Sequence, residues 1–259
     1  MRMMKKVLGT VTVLALSVSL LAGCGSTAVS PVSSTASTAA ESTTSSVVSE
    51  TTSAAADENA AAAAQLLNDL TGSYQELWPV ILADEYQQTW LDDCTALVGE
   101  ENAEAAFEKL SSMVTGDVYG EDAVEAYANG GGAYFCGFTN DLATLTFDGE
   151  TSTISGTDKD GNVLFSHTYH YIGMEPVRGL YEFESDDADS GEFTYFFLAP
   201  DTSAETYHIE FRYGSDAEAL SQYDTGDYAY WLASGISTDC DQTMIDNCIE
   251  LFCTENLAG

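Results

Sequence analysis

The ten residues from Val163 to Ile172, VLFSHTYHYI, decide the fold class. Aromatic and aliphatic side chains alternate there with polar ones, the period of two that places successive side chains on opposite faces of a β-strand. Similar segments lie on both sides: Ala133 to Phe138, Leu142 to Phe147 and Thr151 to Ser155 before it, then Leu180 to Phe183, Phe193 to Leu198 and Tyr207 to Tyr213 after it. Turn-forming stretches separate them, namely Asn140-Asp141, Asp148-Gly149, Asp160-Gly161 and Asp186 to Gly191. So many short consecutive strands predict an antiparallel meander that closes as a small barrel or stacks as a sandwich, in preference to a parallel sheet.

Helical patterns bracket the meander. Ala60 to Leu70 reads as helix, and Ser73 to Leu82 continues with Tyr74, Leu77, Trp78 and Ile81 at the spacing of one buried face, interrupted by Pro79. Glu101 to Val114 sets Ala103, Ala106, Phe107, Leu110 and Met113 on one side, and Glu121 to Tyr127 adds a short turn. At the far end, Thr238 to Asn256 carries Met244, Ile245, Cys248, Ile249 and Phe252 on one face.

The N-terminus has a different composition. Arg2, Lys5 and Lys6 precede an uncharged apolar run from Val7 to Leu21, which ends in Leu21-Ala22-Gly23-Cys24. The run is short for a membrane span and is followed by small residues, as in an export signal. The tetrapeptide resembles a bacterial lipobox, which implies cleavage after residue 23 and lipidation of Cys24, with a lipid-anchored chain on the extracytoplasmic face of the cell membrane. Residues 24–60 are rich in Ser, Thr and Ala, with no aromatic residue. Such a segment cannot bury enough apolar surface to offset its chain entropy, and it reads as a disordered tether. The aromatic residues lie in the remainder, 61–259, a length suited to one domain with a substantial core.

Charge narrows the partners. The chain has 42 acidic and 7 basic residues, and removal of the leader leaves only Lys109, Lys159, Arg178 and Arg212 on the basic side. Without a basic patch to release counterions, nucleic acid is excluded as a partner, whereas cations are attracted. Beyond Cys24 there are five cysteines, Cys94, Cys136, Cys240, Cys248 and Cys253, an odd number that allows at most two intramolecular disulfides of undetermined connectivity. No Cys-x-x-Cys spacing points to a thiolate metal site.

Several segments then resemble one family. Phe193 to Pro200, FTYFFLAP, is followed after a loop by His208 to Asp216, HIEFRYGSD, and by Glu218-Ala219-Leu220. Together with Gly72 to Leu82 (GSYQELWPVIL), Phe138 to Phe147 and Glu175 to Glu184 (EPVRGLYEFE), they are similar to the ZinT (YodA) domain of bacterial metal-binding proteins. The resemblance covers most of residues 66–255. It implies a mainly β, lipocalin-like (calycin) antiparallel barrel with flanking helices. It further implies zinc or another divalent cation bound at the barrel mouth, and capture of that metal for homeostasis or for delivery to an importer. Gly72 to Leu82 would be the entry helix and Phe138 to Phe147 the first long strand.

Carried over residue by residue, the family's first histidine position falls on Phe196, and its His-x-His positions fall on His208 and Glu210. A spacing of two puts His208 and Glu210 on one strand face, where imidazole and carboxylate can share an ion. Phenylalanine cannot ligate, so the set is reduced to two donors, which favours a harder ion or a further carboxylate. His167 and His170, three apart on a strand, point to opposite faces and read as ordinary strand histidines. Asp186, Asp187 and Asp189 lack the distal glutamate of a calcium loop and read as solvated charge. The alternative to metal capture is a calycin module that binds an apolar ligand or a surface protein through Tyr195, Phe196, Phe197 and Tyr213. No nucleophile elbow, metalloprotease helix or phosphate loop is present, and the chain is expected not to be an enzyme.

Overall fold

A computed structural model describes residues 58–200 and 208–258. Eight strands close into one antiparallel barrel in strict sequence order: β1 (Gly72–Glu76), β2 (Thr144–Asp148), β3 (Thr153–Thr157), β4 (Val163–Met174), β5 (Tyr181–Ser185), β6 (Tyr195–Leu198), β7 (His208–Gly214) and β8 (Ala233–Ser237). β1 completes the ring by pairing with β2 on one side and β8 on the other, Tyr74 lying opposite Leu145 and opposite Ser237. Closure removes both sheet edges, so every strand finds backbone partners on both sides.

Alternation along each strand divides inside from outside. Phe147, Ile154, Phe165, Tyr169, Phe183, Phe196, Ile209, Phe211 and Tyr213 belong to a single buried cluster. Rings fill the barrel: Phe165 stacks on Phe193 with centroids 3.9 Å apart, and Phe196 meets Tyr169 edge to face at 5.4 Å. The Tyr213 hydroxyl accepts a hydrogen bond from the Thr139 amide at 2.6 Å and donates to the Thr139 carbonyl at 2.8 Å, which fastens the loop before β2 to the core.

Helix α1, over 58–69, adds Ala63, Leu66 and Leu67 to the same cluster. It packs against the β2–β3 turn so closely that a Cβ on Gly149 would lie 2.4 Å from the Asn68 Cα. Helices α2 (Leu77–Ile81), α3 (Gln87–Val98), α4 (Ala103–Val114) and α7 (Gln242–Leu257) form a second layer; α5 (Glu121–Ala128) and α6 (Ala217–Leu220) lie outside its core, and Leu220 of α6 packs with the barrel cluster. Leu77, Trp78, Ile81, Trp90, Leu110, Ile245, Ile249 and the outward-facing Ile236 of β8 make the core of this layer. Asp241 begins α7 by accepting the Met244 amide at 3.0 Å, and Asp216 caps α6 in the same way.

Most predicted elements stand, with three corrections. Gly72–Glu76 is the first barrel strand instead of part of an entry helix, because its pairing with β2 and β8 closes the ring; only Leu77–Ile81 is helical. Pro79 is tolerated there because it lies in the first turn, where its missing N–H has no intrahelical partner. Ala133 to Phe138 is not a strand: Phe135 makes only isolated bridges to Thr115 and Trp231. Phe138 to Phe147 is not the first long strand either, since β2 begins at Thr144 and is the second strand of the barrel.

Candidate metal-binding pocket

His208 opens β7, and period-two alternation sends its side chain and that of Glu210 to the face opposite Ile209 and Phe211. Ile209 and Phe211 are in the barrel core, so His208 and Glu210 face outward, toward the helical layer. The β8 register agrees, with His208 opposite Ile236 and Glu210 opposite Ser234. Helices α2 and α7 pass over this face and leave a pocket of about 40 Å³, lined by Leu77, Trp78, Ile81, His208, Glu210, Cys248, Leu251, Phe252 and Glu255. That volume has room for an ion with one or two waters beside it, since a water needs roughly 10–15 Å³.

The predicted pair therefore does share one pocket, but on the outside of the barrel wall instead of within its mouth. Phe196 does not join it. Phe196 lies opposite Tyr213 in the β6–β7 register and is fully buried among the interior rings, with a strand wall between it and Glu210. Phe197 and Tyr213 are also spent on packing at 0% and 1% exposure, so they do not form an open mouth for an apolar ligand.

Sequence reading missed Glu255, Cys248 and Trp78 as pocket residues. A signal was present on α7, where Cys248, Leu251, Phe252 and Glu255 follow the i, i+3, i+4, i+7 spacing of one helix face, so that a carboxylate ends an otherwise apolar stripe. Burial, followed by nearby Cys240, pushes the Cys248 thiol up to about 12, so it lines the pocket as a neutral thiol. Burial and then the Glu210 charge push the Cys136 thiol, just beneath, up to about 12. The buried Trp78 indole nitrogen is directed at the Cys136 sulfur and opposes part of that upward shift, while the Trp78 ring lines the pocket.

In type, one imidazole and two carboxylates suit a borderline or hard divalent cation. In arrangement, no group of three or more His, Cys, Asp and Glu side chains among the described residues is already disposed to hold a metal ion. Glu255 is exposed on the last turn of α7.

No family model matches the chain. No curated protein matches it. Among solved structures it is similar to the Zn(II)-bound ZinT-like domain of Streptococcus pneumoniae AdcA, with 16% identity and a TM-score of 0.45 over 71% of this chain and 89% of that one. It is also similar to Zn(II)-bound AdcA from the same organism, with 14% identity and a TM-score of 0.42 over 72% of this chain and 35% of that one.

The remaining histidines do lie on opposite faces of β4. His167, between Phe165 and Tyr169 in the alternation, contacts Asp187 through Nδ1 at 2.9 Å, and its side chain is only 15% exposed. His170 points outward and contacts Asp186 through Nδ1 at 2.8 Å. Asp186 and Asp187 are thus partners of these rings, a correction to their reading as merely solvated charge. Cys24, the predicted signal peptide of residues 1–23 and most of the tether lie outside the described residues.

Proposed function

We propose that the protein captures a divalent cation, zinc or a related ion, in the pocket between β7, α2 and α7. His208 and Glu210 are the anchoring ligands, and Glu255 of α7 completes the set. The observation that carries this reading is the opening of one imidazole and two carboxylates onto the same ion-sized pocket. The chain's strong acidity raises the local concentration of cations around it. Leu77, Trp78, Leu251 and Phe252 supply apolar walls, which reduce screening of the carboxylate charge. When bound, the ion would supply the positive charge that holds the two carboxylates together.

The same proposal places the domain outside the cell, lipid-anchored through Cys24 at the end of a tether, where it serves metal homeostasis or hands the ion to an importer. Its support is the basic, apolar and Leu-Ala-Gly-Cys sequence of the first 24 residues. Non-enzymatic capture is part of the reading.

Thermal unfolding after chelation, repeated with zinc, manganese or calcium at equal concentration, tests it. An ion at 100 times its dissociation constant adds about 2.7 kcal/mol to the folded state, roughly 5–10 °C for a domain of this size. The rise is expected for at least one ion and is expected to vanish in His208→Ala. No rise with any ion would refute the proposal.

A further inference from the structure

A second arrangement of potential donors lies deeper in the helical layer. Cys94 on α3 and Cys253 on α7 are both 0% exposed, and their sulfur atoms are 3.9 Å apart although 159 residues separate them in sequence. Helices α3 and α7 pack against each other along this contact, with Trp90 of α3 meeting Phe252 of α7 edge to face at 6.0 Å. A disulfide holds its sulfurs about 2.05 Å apart, so oxidation would draw this pair together from contact distance.

We propose that Cys94 and Cys253 are a disulfide pair, joined while the chain folds in an oxidising environment and then sealed inside the helical layer. With a low-molecular-weight disulfide as oxidant, one cysteine thiolate attacks a sulfur of that disulfide. A mixed disulfide forms and one small thiolate leaves. The second cysteine, as thiolate, attacks the sulfur of the first and expels the other small thiolate. In balance, two protein thiols become one disulfide and one small disulfide becomes two thiols.

The burial that protects the product also sets the timing. Both sulfurs are fully enclosed once α3 and α7 have packed, so a small disulfide in solution does not reach either thiol of the reduced, already folded protein. The bond ties α7 to α3, and α7 carries Cys248, Leu251, Phe252 and Glu255 of the metal pocket. It would hold that wall in place whether or not a metal binds.

The full chain, unfolded in denaturant with reductant, is refolded in a mixture of oxidised and reduced glutathione. Free thiols are then alkylated and peptides mapped by mass spectrometry before and after reduction. The expected result is a Cys94–Cys253 cross-linked peptide that reduction abolishes, and an unfolding midpoint roughly 5–15 °C above that of the reduced form. Native reduced protein given the same glutathione mixture without unfolding should form the link at least about tenfold more slowly. Cys253→Ala should lose the redox-dependent shift. Recovery of both cysteines alkylated after oxidative refolding, or their pairing with other cysteines, would overturn the proposal. Mapping the chain exported to a bacterial periplasm answers the same question without refolding: a Cys94–Cys253 link supports it, and free thiols refute it.

Discussion

Replacing Arg212 by Met tests how the chain spends one of its few cations. Arg212 is 0% exposed, and its guanidinium donates to the backbone carbonyls of Leu220, Gln222 and Tyr228 while lying 4.4 Å over the Tyr223 ring. It thereby gathers the segment between α6 and β8 onto the outer face of β7. Methionine preserves most of the buried stem but leaves these carbonyls without donors. A hydrogen bond to a charged group contributes about 1.5–3 kcal/mol, and relief of the desolvated charge offsets part of the loss. The net expectation is a loss of about 3–4 kcal/mol, a fall of roughly 6–15 °C in unfolding midpoint for a domain of this length. Lysine, a point donor unable to span three acceptors, should recover less than half of it. Urea unfolding with an unchanged slope, combined with thermal melts, measures the effect. A Met variant within about 1 kcal/mol of the parent would show that apolar packing alone holds the segment and would refute the reasoning.

Phe196→His introduces the residue that the ZinT resemblance would place there, but sets an imidazole among the interior rings on the far side of the strand wall from Glu210; it should cost about 2–4 kcal/mol and leave zinc affinity unchanged, read by melting and metal titration. Gly149→Ala puts a Cβ 2.4 Å from the Asn68 Cα, so it should shift α1 and lower stability by about 1–3 kcal/mol in chemical denaturation. Burial, then Glu250 and Asp246, raise the Asp93 carboxyl above its usual 3.8, and one of its oxygens is buried without a partner. The folded state therefore holds that proton more tightly than the unfolded one, which gives stability that is complete below the ordinary value and lost as pH rises through the folded value. Asp93→Asn should accordingly raise the midpoint near pH 7, and the gain should shrink toward about pH 4 in melts across that range.

The strands from β2 to β7 were legible because one face meets the barrel core and the other is more open, which preserves alternation in the sequence. β8 was not. Ala233, Ser234, Gly235 and Ile236 are all buried, inner-face and outer-face residues alike, so no period survives. Gly235 leaves space for Ile209, whose Cγ1 would lie 3.0 Å from any added Cβ. Helix α3 was hidden for a related reason: only Trp90 and Cys94 of its twelve residues are buried, and Asp92-Asp93 interrupt the stripe. β1 has the sequence pattern of a helix because Tyr74, Leu77, Trp78 and Ile81 keep a helical spacing across a boundary between two elements that bury them on different cores, Tyr74 in the barrel and the others in the helical layer. In the pocket, the resemblance to a His-x-His pair singled out His208 and Glu210, and strand parity put them on one face. Glu255 arrives from α7, and no local pattern reports which helix will cover a given strand.

The most direct measurement of the central claim is zinc competition between the full chain and a chromophoric chelator, with metal content confirmed by mass spectrometry under non-denaturing conditions. The account predicts one ion per chain, with His208→Ala and Glu210→Gln each weakening binding at least about tenfold, roughly 1.4 kcal/mol, while both variants remain folded. No uptake, or uptake that both substitutions leave unchanged, would contradict it.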